Sequence, residues 1–254
     1  MDRKLKSKLI AWADEYEVSS FCDNDPVQFP RYYVPDKPMT EWSFEEFANI
    51  EIMAVIASWL AYGNRKSIIS ACENVKEMFG NSPYHNLKHV YDRYVGSRDS
   101  FYRFYTYSDL AILCGRLYHL YEDGLLVHQI SSKLNSNQSI VSILIDMFYG
   151  VTGFPISEKS ACKRLCLLLR WMVRNESCVD IGIWHNLRRE NILIPLDTHV
   201  HKMALELGLT KRKQADMKTA VEITNAMREV FPNDPARGDF ALFGYGISKA
   251  SDKP

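Results

Sequence analysis

The sequence predicts an all-α protein built as two helical lobes with a cleft between them, the architecture of a helical enzyme rather than of a sheet protein. Three observations carry that expectation. Apolar residues recur at helical spacing through nearly every segment, with little of the period-two alternation of half-buried strands. Ser43 and Glu46 stand three apart ahead of a dense apolar run, the pattern of a capping box. Gly80, Gly96, Gly124, Gly150 and Gly208 each follow a helical stretch, where helices commonly stop.

Taken in order, MDRKLKSKLIAWADEYEV gives a first amphipathic helix over residues 3–18. Its charges, basic at first and then acidic at Asp14, Glu15 and Glu17, interrupt the apolar core that a signal peptide needs, so a cytoplasmic setting is expected. DNDPVQFPRYYVPDKP carries Pro26, Pro30, Pro35 and Pro38 and reads as a long extended connector, because proline lacks a ladder N–H and restricts the residue before it. SFEEFANIEIMAVIASWLAYG then predicts a buried helix that ends at Gly63. Further helices are expected near residues 65–79, 82–94, 108–123, 125–134 and 138–149. After the VTGFP turn, SEKSACKRLCLLLRWMVR predicts a helix over 158–174, apolar on most of its circumference from Leu165 to Met172 and therefore central to a core. NILIP reads as a short extended stretch that feeds the helix of DTHVHKMALELG. The last helices are expected near 214–230 and 237–247, with PNDPARG as the turn between them.

One lobe is assigned residues 42–163, and the second combines 1–41 with 175–254. The 158–174 helix links them, and the site is expected in the cleft. At 254 residues, 46% hydrophobic and 24% charged, the chain can bury a core of that size. No run approaches the ~18 apolar residues that span a bilayer, so no membrane partner is expected. The six cysteines have no CxxC spacing, and Cys162 and Cys166, one helical turn apart, read as reduced core residues. Lys plus Arg and Asp plus Glu both total 31, yet residues 155–213 hold eleven basic side chains against six acidic ones. That surplus permits an electrostatic footprint for a phosphate backbone.

Two residues could carry chemistry. Asp197, in IPLDTHVHKMALELG, stands at an N-cap position where its carboxylate can accept first-turn N–H groups. Capping alone accounts for it; the same geometry also keeps a carboxylate ionised and, facing a cleft, lets it stabilise a developing cation or orient a nucleophile. Lys163 shares a helical stripe with Arg170 and Arg174. The stripe reads either as a solvated cationic face or as an amine nucleophile with two arginines behind it. Seven residues at ~1.5 Å rise put Arg170 about 10 Å away, so desolvation beside Trp171 would have to supply most of any lowering of the amine pKa.

At these residues a family likeness enters. IPLDTHVHKMALELGL resembles the segment of helix-hairpin-helix DNA glycosylases in which an aspartate caps a helix. FEEFANIEIMAVIASWLAYGNRKSIISACENVKEMFG resembles the early helix pair of that superfamily, whose intervening loop enters the DNA, and FPNDPARGDFALFGYGI resembles its closing helix. The likeness covers about residues 43–80 and 155–247. The whole chain is also similar to an uncharacterised bacterial family that carries the SACKRL...RWMVR and PLDTHV signatures.

The resemblance implies base excision. A damaged base would be flipped from the duplex, Lys163 would attack the sugar C1′ and form a Schiff base that allows strand cleavage, and Asp197 would help deprotonate the amine and stabilise positive charge on the sugar. The 34 residues from Lys163 to Asp197 resemble the spacing of the archaeal 8-oxoguanine glycosylase branch, which points to an oxidised purine. Glycines normally flank an apolar residue just before the lysine; PISEKSACK has none, so Ser160 and Ala161 must allow the close phosphate approach. The C-terminal cysteine cluster of the iron–sulfur members is absent, and neither an iron–sulfur cluster nor another cofactor is expected.

DNA contacts are assigned to Ser160, Arg164, Arg170 and Arg174, and the base pocket to Trp59 and Trp171. Leu60 and Tyr62, after the early helix, read either as a wedge into the duplex or as a packed helix end. FYRFYTYSDL sets Arg103 among Phe101, Tyr102, Phe104 and Tyr105, an arrangement that stacks a nucleotide or fills a core. His199 and His201 lie about 200° apart on one helix, so no metal is assigned to the DxHxH stretch. The expected protein is a monomer acting on damaged duplex DNA at the nucleoid. The alternative is a noncatalytic nucleic-acid-binding module on the same scaffold, and a purely structural helical partner is a third reading.

Overall fold

The computed structural model describes residues 1–134 and 138–251. In chain order its helices are Arg3–Tyr16 (α1), Gln28–Arg31 (α2), Phe44–Leu60 (α3), Arg65–Phe79 (α4), Pro83–Tyr94 (α5), Tyr107–Leu120 (α6), Leu126–Lys133 (α7), Ile140–Met147 (α8), Lys163–Val173 (α9), Thr198–Glu206 (α10), Met217–Arg228 (α11) and Gly238–Ser251 (α12). Two short strands, Ser100–Tyr102 (β1) and Tyr105–Thr106 (β2), pair as an antiparallel hairpin. Helical periodicity gave no sign of this hairpin, whose FYRFYT sequence has the aromatic content that suits a pleated strand. The fold is thus mostly helical, as expected. It divides into two compact units, Asp23–Ile156 and Met1–Cys22 with Ser157–Pro254.

In the Asp23–Ile156 unit, α3 is the central element. Ser43 caps it through a complete capping box with Glu46, and every residue from Ala48 to Leu60 is buried. That run includes Glu51, whose carboxylate accepts the Leu126 N–H at 2.9 Å, the Val127 N–H at 3.2 Å and the Tyr121 hydroxyl at 3.1 Å. The first turn of α7 is therefore capped by a side chain from α3, which satisfies otherwise orphaned donors. The proline-rich stretch before α3 is not simply extended. Pro30 sits in the first turn of α2, where a missing N–H costs no intrahelical bond.

In the other unit, α1, α10, α11 and α12 pack Leu9, Ala13, Val200, Ile223, Met227 and Leu242 into one core. Helix α10 approaches α12 closely at Gly246, where an added Cβ would lie 2.4 Å from His199 Nε2. Helix α9 is buried from Leu165 to Val173. It begins at Lys163 rather than near residue 158. Ser160 pairs with Asp216 in an isolated bridge, and Cys162 adopts a left-handed φ of 48°, so the chain turns sharply before the helix starts. Lys163 thereby becomes the first residue of α9 instead of a mid-helix one.

Candidate active site

The N-terminal ends of α9 and α10 meet within one unit. Asp197 is the N-cap of α10: its backbone is extended, and Oδ1 accepts the Val200 N–H at 2.9 Å. Its other oxygen, Oδ2, lies 3.9 Å from Lys163 Nζ. That distance is an ion-pair contact, longer than a direct hydrogen bond and short enough for one water to bridge. The Lys163 and Asp197 side chains are 30% and 41% exposed, so solvent reaches both.

A second carboxylate stands near them. Asp239, in the first turn of α12, accepts a hydrogen bond from Arg170 Nη1. Burial pushes the Asp239 carboxyl above the usual aspartate range, Arg170 opposes the rise, and the Asp197 charge adds to it. Sequence reasoning passed over Asp239. The available signal was Arg170 itself, since an arginine in so apolar a helix needs a buried counter-ion.

Behind that carboxylate runs a buried ionic chain. Arg170 Nε donates to Asp180 Oδ1 at 3.2 Å, and Asp180 also accepts from Arg174 Nη1. Arg174 continues to Asp234, at 2.8 and 3.1 Å, and to Glu17 at 2.7 Å. Arg237 closes the chain on Glu17 at 2.7 Å. Burial works against the Arg174 charge, but Asp180, Asp234 and Glu17 outweigh it and hold the guanidinium protonated. For Asp180 burial is the larger influence and pushes the carboxyl up against the pull of both arginines. The Phe240 ring lies beneath the two guanidiniums, 4.7 Å from the Arg170 carbon and 5.4 Å from that of Arg174.

This chain corrects several assignments. Arg170 and Arg174 are 2% and 1% exposed, so neither meets a phosphate from solvent. The basic surplus of residues 155–213 is correspondingly not all surface charge: Glu17, Asp234 and Asp239 from outside that stretch neutralise part of it within the protein. Trp171 is wholly buried, and its indole N–H has no hydrogen-bond partner among the described residues, so it lines no open pocket. Trp59 and Leu60 are wholly buried as well. Trp59 donates to the Thr152 carbonyl at 2.7 Å, and half-buried Tyr62 donates to that of Tyr102 at 3.3 Å. Ser160 is exposed, and Arg164, next to Lys163 in sequence, is half-buried. His201 is turned inward, its Nε2 2.8 Å from the Arg212 carbonyl oxygen.

Residues 25–248 match the family described as "Protein of unknown function (DUF2400)", and the chain belongs to that family. No curated protein and no solved structure matches it. Among the described residues no helix is long and apolar enough to cross a membrane.

Proposed function

We propose that the protein is a base-excision enzyme, a DNA glycosylase with AP lyase activity that removes an oxidised purine through a Schiff base on Lys163. The observation that carries this reading is the half-exposed Lys163–Asp197 pair, 3.9 Å apart, with one aspartate oxygen engaged in capping and the other turned to the amine. Asp197 takes a proton from the Lys163 ammonium, directly or across one water. The amine then attacks the sugar C1′, the C1′–N bond breaks, and its electron pair leaves on the base, which is protonated. Cleavage of C1′–O4′, with a proton delivered to O4′, leaves the lysine imine. Loss of a C2′ proton from that imine expels the 3′ phosphate with its electron pair and cuts the strand. Negative charge at Asp197 favours the oxocarbenium character that develops at C1′ as the base departs.

A lysine imine is reducible, and that supplies the test. Borohydride added during turnover links the wild-type protein covalently to duplex containing 8-oxoguanine or an abasic site, whereas Lys163→Gln gives no adduct and keeps its fold. A noncatalytic nucleic-acid-binding module would bind the same duplex with no adduct in either form. Trapping that survives Lys163→Gln would mean that another amine is the nucleophile.

A further inference from the structure

Helices α1 and α12 meet at Gly244, where an added Cβ would come within 2.4 Å of the Tyr16 ring, and a cleft opens between them toward the start of α1. The cleft has a volume of about 560 Å³, inside the ~300–1,000 Å³ range of small-molecule sites. Its floor is apolar and fixed, because Leu5, Trp12, Leu207 and Tyr245 all pack on the core of this unit. The half-buried Trp12 and Tyr245 rings stand 5.1 Å apart with their planes tilted by 45°, and both present part of their surface to the cleft.

The rim is cationic. Lys4, Lys8 and Trp12 follow one another at four-residue spacing, so they form one stripe of α1. Like charges at that spacing repel, and neither of these exposed lysines has an acidic partner among the described residues. Lys6, between them, reaches Glu229 at 3.6 Å, and Lys249 on the opposite wall reaches Glu206 at 2.5 Å. Asp2 stands at the N-cap of α1 without a side-chain capping bond and lines the same cleft. This is not the Lys163–Asp197 site. Leu207 is the C-cap of α10, ten residues and ~15 Å along the helix from Asp197 at its N-cap. On α12, Lys249 likewise lies ten residues beyond Asp239.

Two ammonium groups one helical turn apart, above a floor of two rings, call for a ligand that carries both a dianion and a flat ring. A phosphate monoester has a charge of about −1.5 to −2 at pH 7 and three acceptor oxygens, whereas a carboxylate neutralises only one lysine. We propose that the cleft binds a nucleoside monophosphate, with its base against Trp12 and Tyr245, its phosphate between Lys4 and Lys8, and a ribose hydroxyl donating to Asp2. The inference goes beyond base excision and does not depend on it. A membrane surface or a duplex backbone would meet the lysines but leave the recessed rings uncovered, and inorganic phosphate would leave the apolar floor in water.

The test is equilibrium dialysis of the full chain against radiolabelled AMP at low salt, with thermal melting as the check on folding. Wild type takes up AMP to a saturating ratio of one per chain. The Lys4→Gln, Lys8→Gln double variant binds about tenfold or more weakly, and its melting is unchanged because both side chains are exposed. The rings are tested from the ligand side, since Trp12 packs on the core. Ribose 5-phosphate, which lacks the base, and adenosine, which lacks the phosphate, each compete about tenfold or more weakly than AMP. No saturable uptake by the wild type, uptake indifferent to the two lysines, or competition by inorganic phosphate as strong as that by AMP overturns the site. Lysine-dependent binding to phosphatidylserine vesicles or to duplex DNA without uptake of AMP overturns it too, because the lysines would then serve an extended surface. Borohydride trapping reads Lys163 at the other end of α10, so its success or failure leaves this result unaffected.

Discussion

Lys163 and Arg170 in helix α9 and Arg174 at its C-cap stand at helical spacing, and the two ends of the helix treat these cations differently. At its first turn Lys163 is 30% exposed and stands 3.9 Å from a carboxylate oxygen of Asp197. Two turns on, Arg170 and Arg174 are buried, and between them they donate to Asp180, Asp239, Asp234 and Glu17. Charge and periodicity do not distinguish the two ends. Burial does: a guanidinium enclosed by carboxylates and shut off from solvent cannot meet a ligand, while the lysine keeps solvent access with a carboxylate 3.9 Å away. The first arrangement is scaffold, and the second can do chemistry.

Two aspartate caps in the same unit repeat the lesson. Asp197 and Asp216 each accept an N–H three residues on at 2.9 Å, from Val200 and Thr219, with nearly identical backbone angles. Asp216 also accepts from Arg212 Nη2 at 2.6 Å and from the Thr219 hydroxyl at 3.1 Å. It is saturated; Asp197 turns one oxygen toward an amine beyond direct hydrogen-bond reach.

The sharpest way to break the contrast is to exchange its consequences. Arg174→Met strands Asp180 and Asp234 beside a neutral side chain and should cost about 3–5 kcal/mol of folding stability, read from the denaturant midpoint. Lys163→Gln should leave that midpoint close to wild type while abolishing borohydride trapping. Equal destabilisation by the two would erase the distinction between the ends of α9.

A smaller effect is expected at the caps, and it falls on rate. Asn ranks with Asp as an N-cap, so Asp197→Asn should preserve α10 yet slow base release by about 10²-fold in single-turnover assays, through loss of the negative charge. Asp216→Asn makes the same substitution at the saturated cap and should leave base release unchanged. If both variants slowed release alike, the effect would report helix capping and not chemistry.

The smallest effect is in the pH dependence of stability. Burial alone would raise the Glu17 carboxyl, but Arg174, Ser177 and Arg237 outweigh it and hold the group below the usual glutamate value of 4.5. A carboxylate with a lowered folded-state pKa contributes stability that is complete above about 4.5 and is lost as pH falls through the folded value. Urea titrations across that window should show wild type exceeding Glu17→Gln at neutral pH and the gap closing in acid. A gap that stayed constant down to acid pH would mean that Glu17 is not held as an ionised partner of the arginines.

Much of the fold was legible because it depends on local pattern. The Ser43 capping box, the all-round burial of α3 and the N-cap at Asp197 are written in residues three or four apart. The Lys163–Asp197 pairing was reached through family likeness, since no local rule joins positions 34 apart. What stayed hidden depends on long-range partners. Two of the three counter-ions of Arg174, Glu17 and Asp234, lie far away in the chain, and the third, Asp180, lies six residues on, outside the spacing of helical neighbours. The same holds for the start of α9. A helical pattern runs through SEKSACK, but the bridge from Ser160 to Asp216 and the left-handed turn at Cys162 override it and set Lys163 at the helix tip. The hairpin escaped notice because its strands are only three and two residues long.

Mapping the borohydride-reduced adduct by mass spectrometry tests the central claim most directly. Wild-type protein reduced during turnover on 8-oxoguanine duplex and digested should carry the sugar remnant on the peptide containing Lys163, with Lys159 and the other lysines unmodified. A remnant on Lys159, on the N-terminal amine or spread over several lysines would contradict the assignment of Lys163 as the nucleophile.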